Sequence, residues 1–121
     1  MEMECKELYN IPIFKKNMST FKETSYDKDG EEPGYMTDSQ IQVINFDKVK
    51  DGYIKNLALS NTPCSNDALY FGKDNKIFFV EFKNGVLDER PRRNFNICKK
   101  IYNTLLIFND IVNKNISFCR E

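Results

Sequence analysis

The most regular pattern in the chain begins after Pro91, where Cys98, Ile101, Tyr102, Leu105, Phe108 and Val112 recur at three- and four-residue steps. That spacing is one face of a helix, and proline suits the first helical turn, where its missing N–H would lack a partner anyway. A long helix is predicted, with Lys99, Lys100 and Asn103 on its polar side and the stripe from Tyr102 to Phe108 in the core. A shorter pattern, Phe46, Val49, Tyr53, Ile54 and Leu57, predicts a helix over 46–58. It leaves Asp47, Lys48, Lys50 and Asp51 away from the centre of the apolar face. Gly52 within it costs about 1 kcal/mol relative to alanine. The preceding IQVIN, 41–45, fits either an extension of this helix or a short strand.

Between the two helices the period changes. After the loop SNTPCSN, 60–66, come DALYFG and KIFFVEFK, separated by the turn residues Lys73, Asp74 and Asn75. Two β-rich runs joined by so short a polar link predict a hairpin. In the second run Phe78, Val80 and Phe82 face one way, and Ile77, Phe79, Glu81 and Lys83 the other. Its apolar character argues against an edge strand. Elsewhere the pattern is weaker. The segment ELYNIPIFKKNMSTF is interrupted by Pro12 and fits a short strand or a capping helix. TSYDKDGEEPGYMTD, 24–38, reads as a loop, and the tail NISFCRE as one more short strand.

Length bounds the architecture: 121 residues make one small domain, 1–121. Hydrophobic content of 40% with 30% charged residues is that of a soluble globular protein. No apolar run approaches the ~20 residues that span a bilayer, and MEMECKELYN is acidic, unlike a secretion leader. A soluble, cytoplasmic protein with no membrane partner is expected. Lys+Arg and Asp+Glu are equal at 18 each, so there is no overall basic excess of the kind that marks a non-specific nucleic-acid binder. The charges are unevenly spread, however. Acids crowd the first third, and Arg90, Arg92, Arg93, Lys99 and Lys100 gather late. These bases are either a solvated helix face or a phosphate-contacting surface. Cys5, Cys64, Cys98 and Cys119 form no C-x-x-C pair, and there is no histidine, which disfavours zinc. Free thiols in a reducing compartment are expected in preference to a disulfide. The abundance of Asn, Lys and Ile points to an AT-rich genome, bacterial or phage.

The hairpin brings chemistry together. If residues 73–75 are the turn, Gly72 opposes Lys76, and the register carried outward sets Asp67 opposite Glu81. Directly opposed residues have Cβ atoms roughly 4.5 to 5.5 Å apart, so both carboxylates reach one cation. Oxygen-only ligation by one or two carboxylates plus water and substrate phosphate suits magnesium. Lys83, two residues beyond Glu81, would then sit beside both acids, placed to position an attacking water or offset transition-state charge.

These residues carry a resemblance. NTPCSNDALYF, a turn, and KIFFVEFKNG are similar to the PD-(D/E)XK, or restriction endonuclease-like, nuclease superfamily, in which an acid opens one strand and Glu-x-Lys lies on the next. The resemblance spans about 46–118 as helix, hairpin, helix and short strand, and implies a small α/β (α+β) nuclease core. It implies that Asp67 and Glu81 bind Mg²⁺ or Mn²⁺, that the carbonyl of Phe82 joins them, and that Lys83 is catalytic. It makes Arg92, Arg93, Lys99 and Lys100 the candidates for contacting nucleic acid, with DNA as the expected substrate. An acid on the first helix of some members makes Asp47 or Asp51 a further candidate. The family pattern also implies a strand between the first helix and Asp67, for which LALSN, 57–61, is the candidate. The short region after the last helix raises a second copy as the source of remaining elements, in a homodimer. Two rivals stand beside this reading. One is a catalytically silent module of the same fold; the other is an unrelated α+β interaction protein whose Glu81 and Lys83 form a surface ion pair worth 0 to ~1 kcal/mol.

Overall fold

The computed structural model describes residues 4–27, 33–55, 57–59, 61–82 and 91–115, and of residues 91–94 the backbone alone. The stretch interrupted by Pro12 contains helix and strand in succession. A 3-10 turn, Cys5–Asn10, leads into α1, Pro12–Lys15, with Pro12 at its start. Strand β1, Met18–Thr20, follows, then α2, Phe21–Thr24, whose first turn is capped by the Thr20 hydroxyl accepting from the Glu23 N–H at 3.2 Å. Two short strands, β2 (Tyr26–Asp27) and β3 (Gly34–Tyr35), pair antiparallel as a ribbon with the Tyr26 and Tyr35 rings in contact. The segment 24–38 is thus not simply a loop: ring packing orders its two ends.

IQVIN resolves as a strand, β4 (Gln42–Asn45), ending where the Asn45 side chain accepts from the Lys48 N–H at 3.2 Å. That cap starts α3, Phe46–Ile54. The helix stops short of the expected 58, and Leu57 stands half exposed beyond it. The hairpin forms as expected from β5 (Ala68–Phe71) and β6 (Ile77–Val80), paired Ala68 to Val80 through Phe71 to Ile77. The Gly72 N–H closes the turn on the Lys76 carbonyl at 2.8 Å. Asp74 and Asn75 take φ of 60° and 57°, the left-handed region that Asp and Asn tolerate. A Cβ on Gly72 would lie 2.8 Å from the Phe78 ring, so any other residue there would have to displace that half-exposed ring. Finally α4 runs Pro91–Lys114, the long helix predicted from its periodicity.

The architecture is α+β, as expected. Four strands make one antiparallel sheet in the order β1, β4, β5, β6. Two expectations fail here. Among the described residues β6 is an edge strand despite its apolar run: on its far face Phe78 meets the Tyr70 ring but stays half exposed, and Phe82, just past its end, packs on Phe21. The described residues of 57–61 form no strand, and β5 takes β4, from before α3, as its neighbour.

Leu69 and Phe71 of β5 and Ile44 of β4 face the helices, where they meet Phe46 and Val49 of α3 and Ile107, Phe108 and Ile111 of α4. Leu8, Ile11 and Phe14 complete this core, with the Phe14 and Phe108 rings stacked at 5.8 Å. The core therefore reaches well beyond 46–118, into the N-terminal segment. The stripe expected on α4 is only partly in it: Tyr102 is 63% exposed, and Ile101 and Leu105 are exposed as well. Apolar residues cover two adjacent faces of α4, and the face set on the sheet is the one bearing Thr104, Ile107, Phe108 and Ile111. Cys5, Cys64 and Cys98 are free thiols, the first buried. Among the described residues no helix is long and apolar enough to cross a membrane. The expected final strand and Cys119 lie outside the described residues, save Asn115.

Gly52 lies inside α3 with an ordinary backbone, and an added Cβ would meet the Ile13 Cδ1 at 3.6 Å, a normal contact. Gly52→Ala is expected to raise stability by about 0.5–1 kcal/mol through helix propensity, read as a higher urea midpoint at unchanged slope.

Candidate active site

Side chains alternate along a strand, so a sheet with one face against helices buries every second residue. Leu69 and Phe71 of β5 and Ile77 and Phe79 of β6 point to the helix side. The same alternation carried to the open end of the hairpin turns Asp67 and Glu81 that way too. Regular pairing stops there. The Asp67 N–H bonds the Val80 carbonyl at 3.0 Å, the Asp67 carbonyl accepts from the Phe46 N–H at 3.1 Å, and Asp67 Oδ2 accepts from the Phe82 N–H at 2.8 Å. Asp67 is thereby fixed by β6 and by the start of α3.

The surroundings are unfavourable for its charge. Loss of hydration raises the Asp67 pKa to about 6, against the lowering effect of the Phe82 N–H; the carboxylates of Glu81 and Asp47 raise it further, and Lys100 opposes them. Like-charge repulsion from Glu81 is therefore part of what disfavours the ionised form of Asp67.

Lys100 was expected on the polar side of α4, as a solvated or phosphate-contacting base. It instead turns inward, its Nζ 2.6 Å from Glu81 Oε1, with 31% and 16% of the two side chains exposed. Burial works to lower the Lys100 pKa, but the bond to Glu81 and the charges of Glu81, Asp67 and Asp47 outweigh it, and the net shift is upward. The other Glu81 oxygen, Oε2, accepts from Asn66 Nδ2 at 3.3 Å. Both oxygens of Glu81 are engaged.

The loop before β5 is the frame of this site. The Asn66 N–H donates to the fully buried Thr104 hydroxyl at 2.8 Å, and Asn103 Nδ2 donates to the Cys64 carbonyl at 3.1 Å, tying the loop to α4. Ser65 Oγ donates to Asp47 Oδ1 at 3.0 Å, tying it to α3. Thr104 lies one turn after Lys100, so the bond that holds the loop also sets the lysine against Glu81. A separate contact joins the helices, with Tyr53 donating to Asp110, itself paired with Lys114. Asn66 is buried to 1% exposure, yet its Oδ1 has no partner among the described residues.

Several predicted residues fall out differently. Asp47 borders the site but is held by Ser65 and by Lys50 at 3.6 Å; Asp51 pairs with Lys50 at 3.5 Å instead. Phe82 engages Asp67 through its N–H, while its ring packs against Phe21 on the far face of the sheet. Lys99 is exposed. Lys83 and the side chains of Arg92 and Arg93 lie outside the described residues. Sequence reasoning missed Asn66, Ser65 and Thr104 and misplaced Lys100. A signal for the last existed, because Lys100 and Thr104 continue the Ile107 and Ile111 stripe toward the helix N-terminus.

The candidate ligands are oxygens: those of Asp67 and Glu81, and Oδ1 of Asn66, which lacks a partner among the described residues. Among the described residues no group of three or more His, Cys, Asp or Glu side chains gathers as a metal centre. The arrangement fits a cation that takes one or two carboxylates and keeps most of its water, as magnesium does. The chain matches no family model, no curated protein and no solved structure.

Asp67 also has a signature in stability. Its pKa is about 6 when folded and near 3.8 when unfolded, so folding favours the protonated form. The stability this contributes is complete below the unfolded value and is lost as pH rises through about 6. Asp67→Asn, which stays neutral and can still accept from Phe82, is expected to raise the thermal midpoint at pH 7 and above. In unfolding scans followed by circular dichroism, the gain should vanish toward pH 4; an equal gain at both ends would contradict it.

Proposed function

We propose that the chain is a metal-dependent phosphodiesterase of PD-(D/E)XK type that cleaves nucleic acid, DNA being the expected substrate. The observation that supports this best is Asp67, an acid held at the open end of a hairpin with a pKa of about 6 beside a second acid. An arrangement that destabilises its own charge is characteristic of sites that work on a ligand. Asp67 and Glu81 would hold Mg²⁺ or Mn²⁺. When bound, such a cation polarises a phosphoryl oxygen and makes water a stronger nucleophile at neutral pH.

The chain's own residues supply the rest. The Phe82 N–H fixes the orientation of Asp67, and Asn66 that of Glu81. Lys83, in this proposal, positions the attacking water and offsets charge on the phosphorane-like transition state. In this proposal Lys99, Arg92 and Arg93 of α4 contact phosphates along the strand being cut. A catalytically silent binding module is the competing reading, and one observation favours it: Glu81 already has a full counter-charge in Lys100.

Cleavage of supercoiled and linear DNA with millimolar Mg²⁺ or Mn²⁺ separates the two. Asp67→Ala, Glu81→Ala and Lys83→Ala should each abolish cleavage while circular dichroism shows an intact fold. Undiminished cleavage in any of them would remove that residue's role, and no cleavage by the unmodified protein would favour the silent module. Protons compete with the cation for Asp67, so Mn²⁺ affinity measured by calorimetry should fall as pH drops below about 6.

A further inference from the structure

Lys100 is better placed for the acids than for any substrate outside them. Its ammonium lies 2.6 Å from Glu81 Oε1, largely shielded from solvent, on the α4 face that continues into the buried Thr104, Ile107 and Ile111. A simple tether between α4 and the sheet would need nothing further. Yet beside this pair the Asn66 amide, whose nitrogen lies against Glu81 Oε2, keeps a buried oxygen without a hydrogen-bond donor among the described residues. An orphan acceptor of this kind is unfavourable and calls for a donor or a cation. Lys100 satisfies Glu81 and leaves Asn66 Oδ1 unserved, so the metal-free arrangement compensates charge without completing the site.

A divalent cation and an ammonium cannot both sit on one carboxylate oxygen without strong repulsion. Resting on the metal-site reading above, we propose that Lys100 is the exchangeable counter-cation of the acid pair. It neutralises Glu81 while no metal is bound, yields that oxygen when a divalent cation enters between Asp67, Glu81 and Asn66 Oδ1, and then presents its ammonium to the phosphodiester. Metal affinity is therefore set by an exchange, and the lysine keeps the empty site folded at the expense of tight metal binding.

Calorimetric titration of the full chain with Mn²⁺ at pH 8 tests this, using the unmodified protein, Lys100→Met, Lys100→Gln and Asp67→Asn. Circular dichroism confirms that each is folded, and the glutamine variant keeps a polar group should methionine disturb the site. Removing the competing ammonium is expected to tighten Mn²⁺ binding about tenfold in both Lys100 variants, with loss of binding in Asp67→Asn. DNA cleavage by the same variants is expected to fall despite the tighter metal. Unchanged or weaker Mn²⁺ binding in folded Lys100 variants, with clear binding by the unmodified protein, overturns the exchange and leaves the metal site standing. Absence of Mn²⁺ binding in every protein overturns the metal site and the exchange together.

Discussion

Strand alternation at the open end of one hairpin governs the rest of this structure. Because Leu69, Phe71, Ile77 and Phe79 are drawn into the core, the next residues of the same parity outward are committed to that side, and they are Asp67 and Glu81. A slip of one residue would turn every one of these side chains to the opposite face. Register here is therefore fixed by the burial of four large apolar groups, and by a turn that accepts left-handed backbone at Asp74 and Asn75. The carboxylates inherit their position from the core and add little to fixing it.

Their energetic character follows from that position. A carboxylate at the rim of a core loses water, and among the described residues Asp67 gains one N–H, from Phe82, where solvent would offer several donors. Glu81 fares better, since Lys100 and Asn66 share its two oxygens. The two acids therefore differ among the described residues: Glu81 has an ammonium on one oxygen, and Asp67 has only a backbone N–H. The loop from Cys64 to Asn66 makes this asymmetry rigid, because it is bonded to α3 through Asp47 and to α4 through Thr104 and Asn103.

Much of this was readable from the residues alone. Lys73-Asp74-Asn75 between two β-rich runs fixed the turn and the pairing from Ala68 to Phe71, and the α4 periodicity gave its existence and start. The failures have physical causes. β1, β2 and β3 are two or three residues long, too short to show alternation. On α4, apolar residues cover more than one face, so spacing alone did not say which face meets the sheet, and Lys100 was assigned to the wrong side with it. Thr104, Ser65 and Asn66 take their roles from contacts across 18 to 38 residues of sequence, which no local pattern encodes. The apolar look of β6 suggests an interior strand, whereas Phe78 on its far face stays half exposed beside Tyr70.

The most direct measurement is anomalous diffraction from crystals of the full chain soaked in Mn²⁺. A single peak bonded to oxygens of both Asp67 and Glu81, with Nζ of Lys100 withdrawn from Glu81, is the expected result. Crystals that take up no manganese at this place, and keep the Lys100 to Glu81 pair intact at millimolar metal, would contradict the account.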